Sequence, residues 1–133
     1  MTAFVIALGS ALGGLARYWL GVAAERAWGD SFPWGTLIIN VVGSFVIGIF
    51  FTLTSATGVV PASLNVRLFV MTGLCGGFTT FSAFSLQSVQ LMRSGEWGSA
   101  IAYVAGSVLL CLGAAALGHW LGLRLAIASP AEG

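Results

Sequence analysis

Charge is the scarcest property of this chain: Asp, Glu, Lys and Arg together make up 7% of its 133 residues, and lysine does not occur. A soluble domain carries about 25% charged residues, so the composition excludes an ordinary soluble fold. Five arginines against four acids, a formal net charge of +1, leave no basic footprint for nucleic acid. Cysteine is nearly absent. Cys75 and Cys111 both lie in apolar context, which reads as packing rather than as a disulfide or metal pair. The single histidine, His119, has no evident cysteine, serine or carboxylate partner, and no metal-ligand spacing occurs, so an enzyme is the least supported class. Proton-coupled exchange needs a carboxylate within the membrane, yet Glu25, Asp30, Glu96 and Glu132 fall at span ends, turns or the tail. Met1 to Phe4 carry no basic side chain, so no cleavable leader is expected.

What remains is apolar: 58% of residues, with a mean hydropathy of +0.99. About 20 such residues cross roughly 30 Å of hydrocarbon. The chain therefore reads as one all-α integral membrane domain, residues 1–133, with four spans: Thr2 to Ala24, Trp34 to Thr57, Asn65 to Arg93 and Ser99 to Ala128. Gly9 and Gly13 in the first span, and Ala114, Gly118 and Gly122 in the fourth, make small-residue faces that let helices approach closely. Trp19, Trp28, Trp34, Trp97 and Trp120 fall near span ends, as an interfacial belt does. His119, beside Trp120, reads as an interfacial hydrogen-bonding residue.

One stretch departs from this pattern. Gly73-Leu74-Cys75-Gly76-Gly77-Phe78-Thr79-Thr80-Phe81-Ser82-Ala83-Phe84-Ser85 holds three glycines, four hydroxyls and three phenylalanines inside an apolar span. Clustered glycine weakens the helical ladder, and unwound backbone survives in lipid only when buried in protein or facing water. The stretch thus predicts a third helix broken mid-span, resuming with a polar and aromatic face. Elsewhere, Thr36, Asn40 and Ser44 recur every four residues on one face of the second span. Asn40 is either interhelical glue or part of a pathway. Arg17, two turns before the end of its span, either snorkels to the interface or faces a water-filled vestibule. Phe81 and Phe84 at i,i+3 are packing or pathway, and Tyr103, Ser107 and Cys111 form a further row four apart.

Four spans put both ends of the chain on one side. Arg67 and Arg124 then share that side, Arg26 and Arg93 the other, with Arg17 within its span. Such a balance gives almost no positive-inside preference, so opposite insertions can coexist and pair. Four short spans enclose little volume, and a pathway lined by more than one subunit is expected.

These motifs together resemble the Fluc (CrcB) fluoride channels along nearly the whole chain. The resemblance is carried by Gly13-Gly14-Leu15-Ala16-Arg17-Tyr18, by Trp34-Gly35-Thr36-Leu37-Ile38-Ile39-Asn40-Val41-Val42-Gly43-Ser44, and by Gly76 through Ser85. It implies an antiparallel, dual-topology homodimer with two pores that passively exports cytoplasmic fluoride across the cell inner membrane. By the same resemblance, Phe81 and Phe84 match pore phenylalanines, Asn40 the pore asparagine, and Arg17 the vestibule arginine. Ser82 and Ser107 match hydroxyls beside the pore, with Thr36 and Tyr103 as further lining groups. Gly76 and Thr79 match positions whose backbone carbonyls hold a structural sodium ion (Na+) at the dimer centre. Two positions depart from the pattern: Gln87 stands where many members have glutamate, and Cys111 where some have a hydroxyl.

Fluoride is small and tightly hydrated, so its water must be replaced by directed donors. A phenylalanine edge is positive, and amide or hydroxyl hydrogens are true donors. The rival readings are a small multidrug-type proton-coupled exporter, which lacks its carboxylate here, and a non-transporting membrane scaffold. The scaffold reading leaves Arg17, Asn40 and the interrupted third span unexplained.

Overall fold

A computed structural model describes residues 1–55 and 58–128. The expected end of the second span at Thr57, and the tail Ser129 to Gly133, lie outside the described residues. The described part is helical: α1 (Thr2–Trp28), α2 (Trp34–Leu53), α3 (Leu64–Arg67), a π-helical stretch (Leu68–Cys75), α4 (Gly76–Phe78), α5 (Phe81–Arg93) and α6 (Trp97–Ala128). Joined, the segments from Leu64 to Arg93 make a third unit, and four helical units are long and apolar enough to cross a membrane.

The turns follow from their residues. Gly95 takes φ 82°, which only glycine adopts cheaply, while its N–H reaches Met92 O and the Glu96 N–H reaches Leu91 O. That is the left-handed helix stop that closes α5 before α6 begins. At the end of α2, Arg67 donates to the Thr54 carbonyl and stacks over Phe51 at 5.8 Å, a cation placed where helix carbonyls run out of partners.

Packing comes in two pairs: α1 against the π stretch and α4, and α2 against α6. Lipid tails are as apolar as leucine, so helices associate through close contact rather than through hydrophobic burial. The glycines supply that contact. A Cβ at Gly9 would stand 2.5 Å from the Phe69 carbonyl oxygen, and one at Gly73 would stand 2.9 Å from the Gly9 Cα. In the other pair, a Cβ at Gly118 or Gly48 would run into the Phe45 or Ala115 carbonyl of the facing helix. Below them, Thr52 Oγ1 donates to the Gly48 carbonyl at 2.9 Å and so accepts from His119 Nδ1 at 2.6 Å. His119 therefore hydrogen-bonds across helices, carrying its proton on Nδ1.

The glycine cluster of the third span behaves differently from the sequence expectation. Gly73, Gly76 and Gly77 are all helical. Helical geometry is left instead at Thr79 (φ −80°, ψ 158°) and Thr80 (φ −152°, ψ 111°), and is regained at Phe81. Gly73 and Gly77 admit α1; they do not unwind the chain. The buried apolar core is small, Leu37, Leu91, Ala100 and Tyr103 where α2, α5 and α6 meet. Large side chains such as Leu109 and Ile127 face outward, as lipid contact requires.

Candidate functional site

The extended pair Thr79–Thr80 organises the polar groups of three helices. The Thr79 N–H donates to Cys75 O at 2.9 Å, and Arg17 Nη1 of α1 donates to the Thr79 carbonyl at 3.5 Å. From α2, Asn40 meets the Thr80 backbone twice: Oδ1 accepts from Thr80 N at 2.8 Å, and Nδ2 donates to Thr80 O at 3.1 Å. The Thr80 hydroxyl caps α5 by accepting from Ala83 N at 3.2 Å, and lies 3.2 Å from the Ser82 hydroxyl.

Two cavities meet at this pair. The smaller, about 430 Å³, is lined by Asn40, Thr79, Thr80, Phe81, Phe84 and Ser107, together with Gly76, Cys75 and Cys111. The larger and more polar one, about 780 Å³, is lined by Arg17, Thr36, Thr80, Gln87 and the acids Glu25, Asp30 and Glu96. Thr80 lines both and stands between them. It stands in the motif noted in the sequence but was not singled out there. Its signal was the doubled threonine just ahead of the resumed helix.

Of the residues expected to act together, six line the smaller cavity: Asn40, Gly76, Thr79, Phe81, Phe84 and Ser107. The Ser107 hydroxyl is buried and has no hydrogen-bond partner, the one such side-chain atom among the described residues. Phe81 and Phe84 stack at 5.3 Å with a 46° tilt. They are unlike in setting, for Phe81 is 77% exposed while Phe84 packs on the core against Tyr103. Arg17 and Thr36 lie on the larger cavity. Ser82 is exposed beside Thr80, away from both linings.

Tyr103 is wholly buried and lines neither cavity. Its hydroxyl donates to Gln87 Oε1 at 2.8 Å, fixing that carboxamide at the wall of the larger cavity. Tyr103→Phe should cost about 1 kcal/mol through the lost bond and the unpaired amide oxygen. Thermal unfolding in detergent measures it; an unchanged midpoint would mean that water serves Gln87 equally well.

Gly76 and Thr79 can be judged as cation ligands from their hydrogen bonds. The Thr80 N–H, which a continuous helix would give to Gly76 O, is given to Asn40. The Ala83 N–H, which it would give to Thr79 O, is given to Thr80 Oγ1. Both carbonyls thus lose their helical donor, and hard neutral oxygens of this kind suit a small monovalent cation. Arg17 already occupies one side of Thr79 O, and two carbonyls of one chain leave the rest of a cation's shell to be supplied from elsewhere.

Among the described residues, four helical units long and apolar enough to cross a membrane, with two cavities meeting at Thr80, define a multi-pass helical membrane protein. Residues 4–119 match the family described as CrcB-like protein, Camphor Resistance (CrcB). The chain is 57% identical over 119 residues to the fluoride-specific ion channel FluC of Gluconobacter oxydans (strain 621H), covering 89% of this chain and 82% of that one. It is 54% identical over 114 residues to the protein of the same name from Opitutus terrae (strain DSM 11246 / JCM 15787 / PB90-1), covering 86% of each. A third, from Paramagnetospirillum magneticum (strain ATCC 700264 / AMB-1), is 53% identical over 119 residues, covering 90% of this chain and 93% of the relative. The chain belongs to the CrcB family.

Proposed function

We propose that this protein is a fluoride-selective channel of the cell inner membrane that lets toxic cytoplasmic fluoride leave passively, without catalysis. The observation that carries the reading is the buried, unpartnered Ser107 hydroxyl on a cavity shared with Asn40, Phe81 and Phe84. An orphan buried donor is costly unless something is there to accept from it. A dehydrated halide is such an acceptor.

In this reading Arg17, the one cation on a lining that also holds Glu25, Asp30 and Glu96, attracts an anion only over the few ångströms around the Thr79 carbonyl it touches. Fluoride then passes Thr80 and trades water for the remaining Asn40 N–H, the Ser107 hydroxyl and the positive edges of Phe81 and Phe84. Each contact is weak enough to be released, as conduction requires. The nearly apolar wall excludes larger, less directional solutes by shape.

The working unit in this proposal is an antiparallel homodimer of inverted copies, with the extended pair as a break within the membrane. Phe81, 77% exposed on a cavity it shares with Asn40, Thr80 and Ser107, is poorly explained by lipid alone. A second copy would cover it and complete the lining. Gly76 and Thr79 carbonyls, with their counterparts, would hold a structural Na+ whose charge offsets the helix ends facing it. Ser82, Thr36 and Tyr103 serve beside the path, Tyr103 by holding Gln87.

The test is efflux from liposomes carrying the purified protein. Fast release of fluoride with negligible release of chloride is expected. Vesicles that keep their fluoride would overturn the reading.

A further inference from the structure

We propose that Asn40 and Gly43 form a socket that holds the third helical unit open at Thr79–Thr80, so that Asn40 acts mainly as a positioning residue. The accounting of polar groups carries the inference. A carboxamide offers one oxygen and two N–H donors. In Asn40 the oxygen and one donor are committed to the backbone N–H and C=O of Thr80, at 2.8 and 3.1 Å. Only one N–H is left for anything else. The same pairing replaces the helical acceptor that Thr80 N would have found at Gly76.

Gly43, one turn further along α2, completes the socket. A Cβ there would collide with Thr79 Cγ2 and stand 3.3 Å from Phe78 Cδ1. The Thr79 methyl occupies the space that the missing side chain leaves. One residue of α2 thus binds the backbone of the extended pair and another receives its side chain. Arg17 of α1 adds a longer bond to the Thr79 carbonyl at 3.5 Å.

The consequence is geometric. The extended pair sets where α5 starts, and α5 carries Phe81, Ser82 and Phe84. Asn40 therefore aims the phenylalanines and keeps the Gly76 carbonyl out of helical pairing. Only the effect on flux rests on the channel reading; the socket itself does not.

Amide exchange of the 15N-labelled protein in detergent tests the socket without any ion. In Asn40→Ala, the Thr80 amide should exchange at least about tenfold faster, while α2–α6 contact residues such as Ala115 keep their protection. Asn40→Asp retains an acceptor for the Thr80 N–H but sets its second oxygen against the Thr80 carbonyl, so Thr80 protection there should fall between the parent and the alanine variant. Unchanged Thr80 exchange in the alanine variant would overturn the proposal. In vesicles, Asn40→Ala should lower maximal flux about tenfold and move the half-saturating fluoride concentration less than about twofold. An equal shift in both would make Asn40 an ion ligand first. If the parent protein releases no fluoride, the channel reading fails while the exchange result still decides the socket.

Discussion

Phe84→Ile is expected to slow fluoride efflux about thirtyfold, and Phe81→Ile by a similar factor, with the protein still folded. Isoleucine preserves apolar volume but has no positive ring edge, so it leaves a fluoride ion that has shed its water with fewer compensating contacts. A desolvated cation over a ring face is worth about 2 kcal/mol; an anion–edge contact of comparable size, at about 1.4 kcal/mol of barrier per tenfold in rate, gives this factor. The two positions should separate in a second measurement. Phe84 packs against the buried Tyr103 ring at 5.3 Å, so its replacement should also lower the melting temperature. Phe81 is 77% exposed in the single chain, and its replacement should leave the fold of one copy untouched. Efflux at the parental rate in both variants would reduce the rings to packing.

The sequence made some of this legible and hid the rest, for physical reasons. Four long apolar runs are forced by the bilayer, and helix is their one economical conformation. Gly9, Gly13, Gly118 and Gly122 were readable as contact faces because a four-residue spacing keeps small residues on one side. The third unit was harder. Three glycines in five residues suggested unwinding, but a glycine that weakens a helix alone can strengthen it against a neighbour by admitting that neighbour's backbone. Gly73 and Gly77 do this for α1. The departure from helix fell on Thr79–Thr80, where the deciding partners, Asn40 and Arg17, are 40 and 62 residues away. No local pattern announces such bonds. The π winding of Leu68–Cys75 is equally silent, since no residue spacing marks it.

Asn40 shows the same limit from the side of function. Its row with Thr36 and Ser44 left glue and pathway open, and the fold places it where it can be both. Thr36 and Asn40, both on α2, line different cavities on either side of Thr80. A face shared along a helix is therefore not a site shared in space. The motif of the third unit forms one neighbourhood in space because its residues are contiguous in the chain. Arg17, Asn40 and Ser107, from α1, α2 and α6, stand out in the sequence by their polarity within apolar spans or by family resemblance, but the contacts they make are not legible there.

The largest stability effect should come from Gly77→Leu, which is expected to abolish the folded protein or leave it melting far below the parent. A Cβ at Gly77 would stand 2.5 Å from the Ser10 carbonyl oxygen and 2.8 Å from the Ser10 Cα. Both are backbone atoms, and backbone cannot swing aside as a long side chain does. Overpacking a well-filled contact typically costs about 1–3 kcal/mol, and a leucine wedged between two helix backbones belongs at or above the upper end. In lipid the loss has no counterweight, because the added methyl groups are no better buried between helices than against acyl chains. The control is Gly113→Ala on α6, where a new Cβ meets nothing within 4 Å. Removing a glycine from a helix interior there should stabilise by about 0.5–1 kcal/mol. Melting in detergent followed by tryptophan fluorescence measures both. If Gly77→Leu melted with the parent, α1 would not be seated on the third unit as described. The cavities would then lose the helix that brings Arg17 to Thr79.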